Sequence, residues 1–282
     1  MTESTSIHIA QTLQRCPLQT PLLPEAIATT YVRQGKGNPP LLLLHGFDSS
    51  VLEFRRLLPL LAHHAETWAV DLLGFGFTDR PLGLGFSPQE IEAHLLCFLA
   101  NLHSTPCSTG GCLNGRSGCH RLGDRHPEAV QALVLLDSAG LKPNPTLGKY
   151  LFPPLDRLAT EFLRNPQVRS SISNAAYHDK RFNSADAQVC AALHLTMPHW
   201  HRALVAFTKS GGYGSFQSKL PAIACPTLIL WGACDRILGT EDAASFHQGI
   251  PQSKLIWIPD CGHVPHLEKP QATCEAILEF LH

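Results

Sequence analysis

Apolar residues recur along this chain in two rhythms. Leu41–Leu44, Thr67–Asp71, Ala132–Leu136 and Thr227–Trp231 are short runs that are apolar throughout or nearly so. Such runs predict parallel strands buried on both faces. Ala28–Arg33 alternates and predicts an edge strand ended by Gly35-Lys36-Gly37, while Leu255–Ile258 predicts a further strand. Between the strands the spacing becomes helical. Phe54, Leu57, Leu58 and Leu61 share one face. Ser87 is an N-cap residue ahead of Pro88, and the helix it opens continues through Leu95, Leu96 and Leu99. Ala272–Leu281 closes the chain as an amphipathic helix.

Strands alternating with helices predict an α/β fold with a doubly wound, mostly parallel sheet. From Lys142 to about Lys219 no strand-rich run occurs, and short helical stretches are broken by prolines including Pro143, Pro153 and Pro166. The predicted organisation is an irregular lead-in over 1–27, a core over 28–141 and 220–282, and a helical cap over 142–219.

Composition narrows the function. Over 282 residues, 44% apolar and 16% charged positions fit a soluble globule with one sizeable core. A net charge of −1 supplies no field to gather nucleic acid or anionic lipid, and no basic run interleaves with aromatics. No apolar segment reaches the roughly 20 residues that span a bilayer, and residues 1–4 do not begin a secretory signal. The expectation is a cytoplasmic protein with a small-molecule substrate and neither nucleic acid nor membrane as partner. The ten cysteines contain no Cys-x-x-Cys, and the histidines lack partners at metal-ligand spacing, so neither disulfides nor a metal site is expected.

Four strand ends carry candidate chemistry. His45-Gly46-Phe47 follows Leu41–Leu44, where the tight turn lets the Phe47 N–H point into a site as an oxyanion donor. Asp235 follows one buried strand and His263 follows the next. A buried carboxylate fixes an imidazole in one tautomer and balances the charge it gains, so this pair suits an acid and a general base. Asp137 also ends a strand and is a rival acid ranked second, because Asp235 fits the chain order Ser…Asp…His better.

These segments, with Asp71-Leu72-Leu73-Gly74-Phe75-Gly76, His126-Pro127-Glu128-Ala129-Val130 and Leu230-Trp231-Gly232, resemble α/β-hydrolases of the haloalkane dehalogenase, epoxide hydrolase and meta-cleavage hydrolase group. The resemblance covers roughly 28–282. It implies an eight-stranded core, a helical cap and no cofactor. It also implies a nucleophile elbow, Gly-x-Nuc-x-Gly, between a buried strand and a helix. Counting back from His126 by the usual helix length puts that nucleophile at Leu113, with the second oxyanion donor at the backbone N–H of Asn114. Leucine cannot attack, and Cys107–Cys112 lacks the apolar character of a central strand. Ser108 and Ser117 are weak substitutes, since neither stands in the elbow pattern.

The genetic code offers an explanation. Read one base later, the codon spanning Leu113 and Asn114 is T-any-A, which admits serine and excludes aspartate, and the flanking shifted codons admit Gly-Ala-Ser-Met-Gly. The lineage expected is therefore a serine hydrolase for a small, mostly apolar ester or related acyl compound. The polypeptide as written is expected to have little or no activity. The alternative is a non-catalytic ligand-binding homologue; an interaction scaffold has no exposed apolar helix pattern behind it. The DNA across codons 104–126 is expected to carry one gained and one lost base. A clean frame with no elbow encoded in any alternative frame would sink the frame-shift explanation.

Overall fold

The computed structural model describes residues 1–103, 112–113, 130–141 and 152–281. Its sheet has eight strands: β1 (Gln14–Thr20), β2 (Leu23–Gln34), β3 (Leu41–Leu44), β4 (Thr67–Val70), β5 (Cys112–Leu113), β6 (Leu133–Leu136), β7 (Thr227–Gly232) and β8 (Ser253–Ile258). Their order is β1-β2-β4-β3-β5-β6-β7-β8. β2 is antiparallel to both β1 and β4, and the remaining pairs are parallel. The chain leaves β3 on one side to form β4 and returns on its other side as β5. Ligands of open α/β sheets gather at such a reversal, beyond the carboxyl ends of the strands.

The unbroken apolar runs follow from this layering. Leu42, Leu44, Leu133, Leu135, Ile229 and Trp231 join one core cluster, whereas Leu41, Leu43, Val134, Leu136, Leu228 and Leu230 join the other. Successive residues of a strand face opposite sides, and here both sides are dry. Helix Pro88–His103 supplies Ile91, Leu95 and Phe98 to the first cluster, and helix Glu241–Gly249 supplies Ala243 and Phe246. Helices Leu58–Ala62 and Pro270–Leu281 cover the second face through Leu58, Leu61, Cys274 and Ile277. Fully burying one such leucine is worth about 1.5–3 kcal/mol, so these two layers carry most of the fold's stability.

The start of Pro88–His103 shows local sequence acting directly. Ser87 Oγ accepts from Glu90 N (3.3 Å), while Glu90 Oε2 accepts from Ser87 N (2.7 Å). Two otherwise unsatisfied donors are thereby paired reciprocally in a capping box.

Two expectations are corrected. Residues 1–27 are not an irregular lead-in: Ser4–Gln11 is a helix, and β1 pairs antiparallel with β2 from Gln14 to Thr20. β1 is the edge of the sheet, where a polar face and Pro17 are tolerated because one side needs no ladder partner. That composition hides a strand from a pattern search. β2 is consequently an interior strand and not the edge.

Between β6 and β7 the described chain is helical. Helices Leu155–Arg164, Pro166–Ala176, Ala185–Ala192 and Trp200–Lys209 are joined by 3₁₀ turns. Pro166 opens its helix rather than breaking one, with Asn165 Oδ1 accepting from Gln167 N at 2.8 Å. No helix among the described residues is long and apolar enough to cross a membrane.

Candidate active site

Asp235 and His263 lie beyond the ends of adjacent strands β7 and β8. What draws them together is the backbone. Cys234 N donates to Cys261 O (2.8 Å) and Ala233 N to Ile258 O (3.0 Å). Gly232, which ends β7, sits so near that a Cβ there would overlap the Gly262 carbonyl oxygen. In that setting His263 Nδ1 is 3.0 Å from Asp235 Oδ2, with the Asp235 side chain fully buried and His263 7% exposed. Asp235 Oδ1 accepts from the amides of Ile237 (2.7 Å) and Leu238 (3.2 Å).

Burial acts to raise the Asp235 pKa, but the hydrogen bond and charge of His263, with the two amides, outweigh it and leave the carboxyl below its ordinary value. A carboxylate at Nδ1 assigns the proton there and makes Nε2 the nitrogen that accepts a proton. Asp137 stands next to this pair, and its Oδ1 accepts from Gly232 N at 2.9 Å. Among the described residues, Asp137, Asp235 and His263 bring ligand-type atoms within 4.8 Å of one another. Asp235 and Asp137 Oδ1 are already committed to the imidazole and to backbone amides, which is the arrangement of a proton-handling pair more than of a metal cage.

The histidine loop is anchored from behind. His263 N donates to Ala176 O (2.7 Å), and a Cβ at Gly262 would overlap that same carbonyl. Buried Glu268 accepts from Gly262 N (2.8 Å), His178 N (3.0 Å) and Asp179 N (2.6 Å). One carboxylate thus joins the His263 loop to the chain that leaves helix Pro166–Ala176.

The loop His45–Ser50 is held as firmly. His45 Nε2 accepts from Leu72 N (3.1 Å), and Gly46 N donates to Glu53 Oε2 (3.3 Å). Asp71 accepts from Val51 N and Phe77 N, each at 2.7 Å; burial pushes its carboxyl up to about 6 against the pull of His45 and those amides. His266 Nε2 lies 3.2 Å from Glu53 Oε1. Asp48, with φ of 49°, accepts from Trp200 Nε1 (2.8 Å), contacts His194 Nε2 (3.2 Å) and pairs with Arg169. The Phe47 ring packs against Phe75 and Phe207. Asp48, Glu53 and Glu268 escape a sequence search because each works by receiving donors from distant segments.

A cavity of about 280 Å³ opens beside these groups. Gly46, Phe47 and His263 line it together, with Leu163, Ile172 and Ala191 from the helical segment between β6 and β7. Leu113 is the last residue of β5, and its backbone pairs with Leu43 of β3 and Val134 of β6. Asn114, Ser108 and Ser117 lie outside the described residues.

Residues 41–276 match the alpha/beta hydrolase family. The chain is 30% identical over 243 residues to the alpha/beta hydrolase domain-containing protein VTE7 of Arabidopsis thaliana, covering 86% of this chain and 73% of that protein. It is 28% identical over 268 residues to the 2-hydroxy-6-oxo-6-(2'-aminophenyl)hexa-2,4-dienoic acid hydrolase of Metapseudomonas resinovorans, covering 90% and 88%. A thermophilic esterase from Thermogutta terrifontis superposes with a TM-score of 0.77 at 25% identity, over 95% of this chain and 98% of that one.

The lowered Asp235 pKa has a signed consequence for stability. The contribution is fully present above the ordinary carboxyl value of about 3.9 and is lost as pH falls through the lower folded value. Asp235→Asn is expected to reduce stability at pH 7 and to have much less effect near pH 2. Urea denaturation at both pH values measures this, and an equal loss at both would contradict it.

Proposed function

The chain belongs to the alpha/beta hydrolase family, and on that footing we propose that its cavity is the acyl pocket of a serine-type hydrolase lineage. The substrate is a small, mostly apolar ester or related acyl compound. The observation that carries the proposal is the 3.0 Å contact of Asp235 with His263 at the wall of a cavity shared with Phe47. The Thermogutta esterase and the dienoic acid hydrolase support the choice of ester or carbon–carbon acyl chemistry.

In that chemistry a hydroxyl attacks the acyl carbon and His263 Nε2 takes its proton. Asp235 balances the imidazolium, and His263 returns the proton to the leaving group. The N–H groups of Phe47 and Asn114 hold the oxyanion, each such donor contributing about 3 kcal/mol at the transition state. The helices between β6 and β7 act as a cap: Leu163, Ile172 and Ala176 close the apolar side of the pocket.

The polypeptide as written lacks the attacking group. The counted nucleophile position is Leu113, flanked by Cys112 and Asn114, and the first serine or threonine downstream is Ser117. Loss of the nucleophile alone removes about 10⁶-fold in rate from a triad enzyme. Hydrolysis of p-nitrophenyl butyrate by the unaltered chain is therefore expected to equal that of its His263→Ala variant. Turnover that disappears in His263→Ala would overturn the claim of a disarmed enzyme, and its simultaneous loss in Ser117→Ala would name the missing nucleophile.

A further inference from the structure

Helix Leu155–Arg164 is amphipathic in the reverse sense. At helical spacing Leu155, Leu158 and Phe162 share one face, while Asp156, Thr160 and Leu163 share another. The face with the polar pair is turned inward: Asp156 and Thr160 are buried, and Thr160 Oγ1 meets His201 Nδ1 of helix Trp200–Lys209. Leu163 points the same way, packs with Leu195, Trp200 and Leu204, and lines the cavity. The apolar face is turned outward. Leu155, Leu158 and Phe162 are 57%, 63% and 63% exposed, and Phe152, just ahead of the helix, is 59% exposed. The expectation that no apolar helix face is exposed is thereby corrected. Periodicity shows that a helix has an apolar face but not which way that face points.

A contiguous apolar face left in water marks a docking surface, and the charges around it identify the partner. Arg157 and Arg164 run along one border of the strip, and Lys209 Nζ lies 5.4 Å from the centre of the Phe152 ring. Glu161 is the one exposed acid of the helix, and Arg164 answers it at 3.5 Å. An apolar strip edged by cations complements a surface that is anionic outside and hydrocarbon within. At ten residues the helix is too short to cross a bilayer, so it lies along one. A second copy of this chain fits less well. Four side chains exposed by about 60% present on the order of 450 Å², against about 800 Å² per partner in a standard interface. A two-fold pairing would also bring a patch with excess positive charge onto itself.

We propose that the outer face of helix Leu155–Arg164, extended by Phe152, docks on the surface of an anionic lipid bilayer. Leu155, Leu158, Phe162 and Phe152 enter the headgroup–acyl boundary, while Arg157 and Lys209 meet the lipid phosphates. The docking does not rest on the acyl-pocket reading and needs no nucleophile.

Cosedimentation of the full chain with vesicles tests this, using phosphatidylcholine alone and an equal mixture of phosphatidylcholine and phosphatidylglycerol. Binding to the mixed vesicles is expected to be about tenfold or more tighter than to phosphatidylcholine alone. Leu158→Ser with Phe162→Ser is expected to abolish it, and Arg157→Gln with Lys209→Gln to lower it to the level of the neutral vesicles. His263→Ala is expected to bind as the unaltered chain does. No binding to either vesicle, equal binding to both, or undiminished binding in either double variant would overturn the proposal. So would a concentration-dependent dimer that Leu158→Ser with Phe162→Ser disperses, because a second copy would then be the occupant. Should that double variant fail to fold, Phe162→Trp keeps the face apolar. Its added emission is expected to shift to the blue on the mixed vesicles, and an unmoved emission would contradict the docking.

Discussion

The structure depends on one close approach of backbone to backbone, between the end of β7 at Gly232 and the Cys261–Gly262 turn after β8. Neither glycine has room for a Cβ: Gly232 is limited by the Gly262 carbonyl and Gly262 by the Ala176 carbonyl. Two loops of a sheet are thereby brought within side-chain reach, and the Asp235–His263 contact is the result. The same stack continues outward, because Ala176 ends the helix Pro166–Ala176 and accepts the His263 amide. Acid, base and overlying helix share one point of contact.

A second set of restraints holds the loops after β3 and β8, and it is built of carboxylates that receive backbone donors. Asp71 holds Val51 and Phe77, Glu53 holds Gly46, and Glu268 holds Gly262, His178 and Asp179. Charge-assisted bonds to backbone amides are strong when desolvated and fix a loop without bulk, which leaves the adjoining cavity open. Asp48 extends the scheme to the helical segment through Arg169, His194 and Trp200. The loop that carries Phe47 and the loop that carries His263 are therefore both tied to the same overlying helices.

The sheet was legible where both of its faces are buried. Unbroken runs such as Leu41–Leu44 and Thr227–Gly232 leave no room for a polar face, and each is a central strand. β1 was not legible, because an edge strand with Pro17 and polar neighbours has the composition of a loop. Asp235 and His263 could be singled out from their places after buried strands. The supporting carboxylates could not, since Glu268 gains its meaning from amides about ninety residues away, at His178 and Asp179. Cys107–Cys112 carries no apolar run, and the register of Cys112 and Leu113 against β3 and β6 shows where β5 joins the sheet.

The central claim is that Asp235 and His263 act as a coupled pair, with the carboxylate holding the proton on Nδ1. The imidazole proton of His263 reports this directly by NMR in mildly alkaline solution. A strongly deshielded Nδ1–H resonance, present in the unaltered protein and absent from Asp235→Ala, is the predicted result. A His263 ring protonated at Nε2, or an Nδ1–H signal indifferent to the loss of Asp235, would contradict it.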